Sequence, residues 1–81
     1  MNISVRVNGS LAQLLGTSRL TMQVVEGETL GSLVAELEER FPHSKEMLGR
    51  AVPMAGGRHT DHSYVFTQEE EIALLMPVAG G

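Results

Sequence analysis

One stripe of apolar residues limits what this chain can fold into. Leu30, Leu33, Val34, Leu37 and Phe41 recur at the three-and-four spacing that lines one face of an α-helix. Thr29 stands where a hydroxyl accepts from an early helical N–H, so it is the expected N-cap. Pro42 disfavours helical geometry at Phe41 and closes the segment, giving one main helix at about 29–41. Eighty-one residues support a single small core. The periodicity around the helix is mostly of strand type, so the helix is the one substantial element available to cover a sheet. That is an α+β arrangement.

The strands are read from both ends of the chain. Ile3, Val5 and Val7 alternate with Ser4 and Arg6, and Leu20 to Val24 repeats the period of two. Asn8-Gly9 between them is a strong local hairpin signal. Leu11, Leu14 and Leu15 then fall at i, i+3 and i+4 before Gly16, which favours a loop with a short helical turn. Glu26-Gly27-Glu28 turns the chain into the main helix. Beyond Pro42 the pattern weakens. Met47-Leu48 anchors a turn, and Ala51-Val52 forms a short strand that Pro53 confines to a sheet edge. Ala55 to Asp61, with Gly56-Gly57, reads as an open loop, Ser63 to Thr67 as a short strand, and Gln68 to Glu71 as a turn. The run Ile72-Ala73-Leu74-Leu75-Met76 is apolar throughout, the mark of a central strand covered on both faces. We expect it to lie parallel to the N-terminal strand. Pro77 lacks the N–H a ladder requires and ends the run. The expected organisation is a domain at 1–75 followed by a flexible tail at 76–81.

Charge and composition remove several classes of function. A net charge of −4 and scattered arginines argue against a nucleic-acid partner, which needs clustered cations. No apolar run is long enough to cross a bilayer, so no membrane role is expected. Met1 to Val7 lacks the pattern of a targeting segment, and cytoplasmic residence is the expectation. Without cysteine there is no disulfide, thiolate nucleophile or cysteine metal site. His59 and His62 share an H-x-x-H spacing but lack a third ligand, so no metal is expected. The acidic runs at Glu36–Glu39 and Glu69–Glu71 read as solvated faces, or as steering surfaces for a basic partner.

One distinctive chemical group then remains, the main-chain carboxylate of Gly81. Six residues beyond Leu75, extended, reach roughly 20 Å from the domain. Gly80 and Gly81 carry no Cβ, so the tip fits a channel too narrow for other residues. Gly81 is the candidate reactive residue. Leu75, Met76, Pro77, Val78, Ala79 and Gly80 are the candidate partner-binding residues, since an apolar stretch leaving a sheet presents contact surface.

These residues resemble the ubiquitin-like β-grasp sulfur carriers, a family that includes the small subunit of molybdopterin synthase and the sulfur carrier of thiamine biosynthesis. The resemblance covers nearly the whole chain. It rests on Val5-Arg6-Val7, Leu14-Leu15-Gly16-Thr17, Glu26-Gly27-Glu28-Thr29-Leu30, Glu38-Glu39-Arg40-Phe41-Pro42 and, most specifically, Pro77-Val78-Ala79-Gly80-Gly81. It implies a small mixed β-grasp sheet. It implies that Gly81 is adenylated by an E1-like adenylating enzyme using ATP, then converted to a thiocarboxylate that donates sulfur inside a partner enzyme. The large subunit of molybdopterin synthase is the first such partner. No stably bound cofactor is implied, and the chain serves as a non-catalytic subunit or protein substrate. A carrier for cysteine, thiamine or thio-natural-product synthesis, a protein modifier and a non-covalent interaction module remain alternatives.

Overall fold

A computed structural model describes residues 1–77. At its centre two strands from opposite ends of the chain, β1 (Asn2–Val7) and β5 (Glu70–Leu75), run parallel. Their register pairs Val5 with Ile72 and Val7 with Leu74, and all four side chains are buried. β2 (Arg19–Gln23) lies antiparallel on the outer side of β1, and places the buried Met22 opposite Ile3. β3 (Val52–Ala55) is antiparallel to β5 on the other side, and the two-residue β4 (Arg58–His59) follows it. The order across the sheet is β2-β1-β5-β3-β4. The mixed sheet and the central, parallel position of the last strand match the expectation from sequence. Both follow from apolar content, because β5 has neighbours on both edges and buries Ile72, Ala73 and Leu74 in succession.

Helix α1 (Gly9–Leu15) follows β1, α2 (Leu30–Arg40) crosses the sheet, and a 3₁₀ turn at Pro42–Ser44 leads into α3 (Lys45–Arg50). Leu30, Leu33, Val34 and Leu37 of α2 are buried against the inner face of the sheet. The Thr29 hydroxyl accepts from the Ser32 N–H at 3.2 Å, as an N-cap should. Leu30 and Gly31 would otherwise have unpartnered N–H groups, and these donate to the carbonyls of Tyr64 (2.8 Å) and His62 (2.9 Å). The Glu36–Arg40 pair is present on the exposed side at 3.6 Å.

Several local expectations need correction. Leu14 lies outside the apolar line of α1, 41% exposed, because a seven-residue helix buries only the narrow row containing Leu11 and Leu15. Residues 45–50 form a helix rather than a turn, with Leu48 buried. β3 is an interior strand, since β4 flanks it. Pro53 is tolerated there because its carbonyl accepts from Thr60 N–H at 3.0 Å on the β4 side. In an antiparallel ladder a residue's N–H and C=O face the same neighbour, so the proline costs no bond to β5. Ala55 to Asp61 is a tight hairpin rather than an open loop, with both Gly56 and Gly57 at positive φ. Residues 63–67 contribute only a bridge between Val65 and Thr29, because their partner segment is already turning into α2. Glu70 and Glu71 belong to β5 rather than to a turn.

Candidate functional site

β5 delivers the chain to the point where the C-terminal residues leave the sheet. It ends at Leu75, and the Met76 N–H donates to Asn8 Oδ1 at 2.7 Å. Pro77 is exposed. Alternation along the strand sends Leu75 and Met76 to opposite faces. Leu75 is half-buried on the open face, in register with Val52, while Met76 packs against the core cluster on the helical side. Of the candidate partner-binding residues, Leu75 and Met76 therefore do not share one patch. Val78, Ala79, Gly80 and Gly81 lie outside the described residues.

Two shallow clefts flank that root. On the open sheet face, Ala73 and Leu75 of β5, Met54 of β3 and Arg6 of β1 border a space of about 120 Å³. Its floor is apolar and its rim charged, because Arg6 stands beside Ala73 in the β1–β5 register and Glu71 beside Ser4. On the helical side, Ser10, Arg50, Met76 and Pro77 line a space of about 250 Å³. A larger hollow, lined by Glu28, Glu36, Glu39 and neighbouring residues, lies along α2, away from the tail root.

The acidic run Glu69–Glu71 at the start of β5 is engaged within the fold. A Glu69 carboxylate oxygen accepts from the Asn2 N–H at 2.7 Å, Glu70 accepts from the Tyr64 hydroxyl at 2.6 Å, and Glu71 pairs with Arg19 at 2.9 Å. The hydrogen bond to Glu70, with burial and the Glu70 charge behind it, pushes the Tyr64 phenol above its usual range. The Met1 ammonium is likewise held, donating to the Val24 carbonyl at 2.8 Å.

Sequence reading did not single out Asn8, Arg50, Val52 or Met54 as parts of this region. Asn8 lies 68 positions from Met76, and a bond of that span leaves no periodic trace. Arg50 carries no signal, because the pattern around it, Met47-Leu48, predicts only a turn. For Val52 and Met54 the period-two pattern was available, but Pro53 between them masked it.

No protein-family model matches the chain. Across its whole length it is 26% identical to the molybdopterin synthase sulfur carrier subunit of Arabidopsis thaliana, covering 84% of that protein. Among solved structures it superimposes on SAMP1 of Haloferax volcanii with a TM-score of 0.87 at 18% identity, each chain covered completely. It also matches a chain in the complex of subunits 1 and 2 of the molybdopterin-converting factor from Helicobacter pylori. There the TM-score is 0.73 and the identity 26%, again over the whole of both chains. The fold is the ubiquitin-like β-grasp. The likeness to sulfur carriers read from the sequence extends along the entire β-grasp chain. Among the described residues no helix is long and apolar enough to cross a membrane.

Proposed function

We propose that this β-grasp protein is a sulfur carrier, the small subunit of a molybdopterin synthase, working in the cytoplasm through the carboxylate of Gly81. The observation that carries the reading is the likeness, along the whole chain, to a molybdopterin synthase sulfur carrier subunit, together with the segment Pro77-Val78-Ala79-Gly80-Gly81. A carboxylate with a pKa of about 3.5 is ionised at neutral pH and is a poor electrophile. An E1-like enzyme overcomes this by transferring AMP from ATP to the Gly81 carboxylate, releasing pyrophosphate. Hydrosulfide then attacks the acyl carbon, the C–O bond to AMP breaks, AMP leaves, and a thiocarboxylate remains. A persulfide donor reaches the same product once a thiol cleaves the intervening S–S bond. The thiocarboxylate sulfur is the nucleophile delivered to the accepting partner, which we take to be a large subunit like that in the Helicobacter pylori complex.

The domain at 1–75 supplies recognition in this scheme, and the tail from Met76 supplies reach. Leu75, with Ala73, Met54 and Val52 around it, offers an apolar contact beside that root, and the remaining tail residues through Gly80 thread toward the partner's active site. Intact-mass spectrometry after incubation with an E1-like adenylating enzyme, ATP and a sulfur donor tests the reading. The expected result is exchange of one oxygen for sulfur in the wild type, and none when Gly81 is deleted. Ladders of larger conjugates would favour a protein modifier, and an unchanged mass an interaction module.

A further inference from the structure

We infer that Asn8 is the positioning residue for the C-terminal tail, its side-chain oxygen fixing the backbone at Met76. The inference rests on the sulfur-carrier reading and adds to it the group that holds the root of the reactive segment. Asn8 occupies the N-cap of α1 with the extended backbone typical of a cap, φ −140° and ψ 175°. Yet its side chain makes no capping bond to α1. The oxygen that ordinarily serves a helix instead accepts from the Met76 N–H at 2.7 Å. Because that N–H is a donor, only the amide oxygen can face it, so the side chain's orientation is set.

The location gives the bond its consequence. β5 has just ended at Leu75, and Pro77 has no N–H, so Met76 offers the last main-chain donor before the proline. Asn8 thus supplies one more rung after the ladder has stopped. Gly9 lies beside the same bond. It takes φ +57°, a conformation that L side chains rarely adopt, and a Cβ placed there would stand 3.7 Å from the Met76 Cβ. The start of α1 and the root of the tail therefore lie side by side. From Met76 to Gly81 the chain advances five residues (81 − 76), a reach of about 17 Å when extended. A root free to pivot adds its own displacement to that reach, whereas a held root removes it. Misplacement by about 1 Å at a reacting centre can cost about 10²-fold in rate.

The test compares full-length wild type with Asn8→Ala, which removes the acceptor, and Asn8→Asp, which keeps one. Met76 amide hydrogen exchange reports the bond itself. ATP–pyrophosphate exchange with an E1-like adenylating enzyme, beside a binding titration, reports its use. For Asn8→Ala we expect loss of Met76 protection and a fall in kcat/KM of about 10- to 100-fold, carried by kcat, with binding of the enzyme unchanged. Asn8→Asp should restore both protection and rate, which a merely structural role for asparagine would not require. Asn8→Ala adenylated at the wild-type rate overturns the inference, as does Asn8→Asp that protects Met76 but fails to restore the rate. A wild type that gives no pyrophosphate exchange overturns the carrier reading instead. The Met76 amide still decides the clamp in that case, since protection retained in Asn8→Ala rules it out.

Discussion

Single residues in this chain are held by specific partners. Tyr64 is one case, its hydroxyl donating to Glu70 at 2.6 Å while its ring packs edge-on against the buried Phe66 at 5.6 Å between centroids. The bond needs the protonated phenol, which is why the folded pKa lies above the ordinary tyrosine value of about 10. A raised folded pKa stabilises the native state fully below the unfolded pKa, and that contribution fades as pH rises through the folded value. We therefore expect Tyr64→Phe to unfold more readily than wild type near neutral pH, and the difference to shrink at strongly alkaline pH. Denaturant midpoints across that range provide the check. At Thr29 the side chain serves α2 alone, through the Ser32 N–H. Thr29→Ala should lower unfolding free energy by about 1 kcal/mol, measured by urea denaturation, while Thr29→Ser should be nearly neutral.

At the level of elements, α2 carries the core and β5 carries the site. Leu37 is fully buried in the middle of the α2 stripe, so Leu37→Ala should cost about 2–5 kcal/mol. Against a total of about 5–15 kcal/mol for a small domain, that is a large share, and calorimetry should show a clear drop in Tm. Such elements were legible from sequence because their pattern is regular: the alternation of Ile3, Val5 and Val7, the stripe from Leu30 to Leu37, and the apolar run Ile72-Ala73-Leu74-Leu75 in β5. Other segments escaped for identifiable reasons. α3 has a single buried residue, Leu48, so it shows no stripe. The Gly56-Gly57 hairpin joins strands of only four and two residues, too short to alternate visibly. Phe66 is wholly buried, but its segment docks on the turn before α2 through main-chain bonds, which leave no mark in side-chain order. At the site, the reactive end could be proposed from its chemistry alone. The clamp by Asn8 could not, because Asn8-Gly9 read locally is only a turn.

For the whole molecule, the separation of faces sets how a partner approaches. Helices cover one side of the sheet, and the other side presents Leu75, Val52 and Met54 beside Arg6. If this open face docks the partner, Leu75→Asp should weaken binding by about 1–3 kcal/mol, with folding kept, since Leu75 is only half-buried. A titration against the adenylating enzyme reads the loss, and unchanged affinity would move the contact to another face.

The parallel ladder at the centre also governs how the protein comes to be folded. Ile3 pairs with Glu70, a separation of 67 residues (70 − 3), so nearly the entire chain must close into a loop before the ladder forms. Topologies dominated by such distant pairings fold slowly for their size, in about milliseconds to seconds. α2 can fluctuate into helical shape earlier, but it has no completed surface to cover until β5 arrives. The step that seats β5 between β1 and β3 is also the step that carries Met76 to Asn8. Stopped-flow refolding should accordingly show the Met76 amide gaining protection in the same phase as the core. A chain still searching for its fold then lacks a held tail root, and under the proposed carrier function the timing of folding decides when the terminus becomes usable.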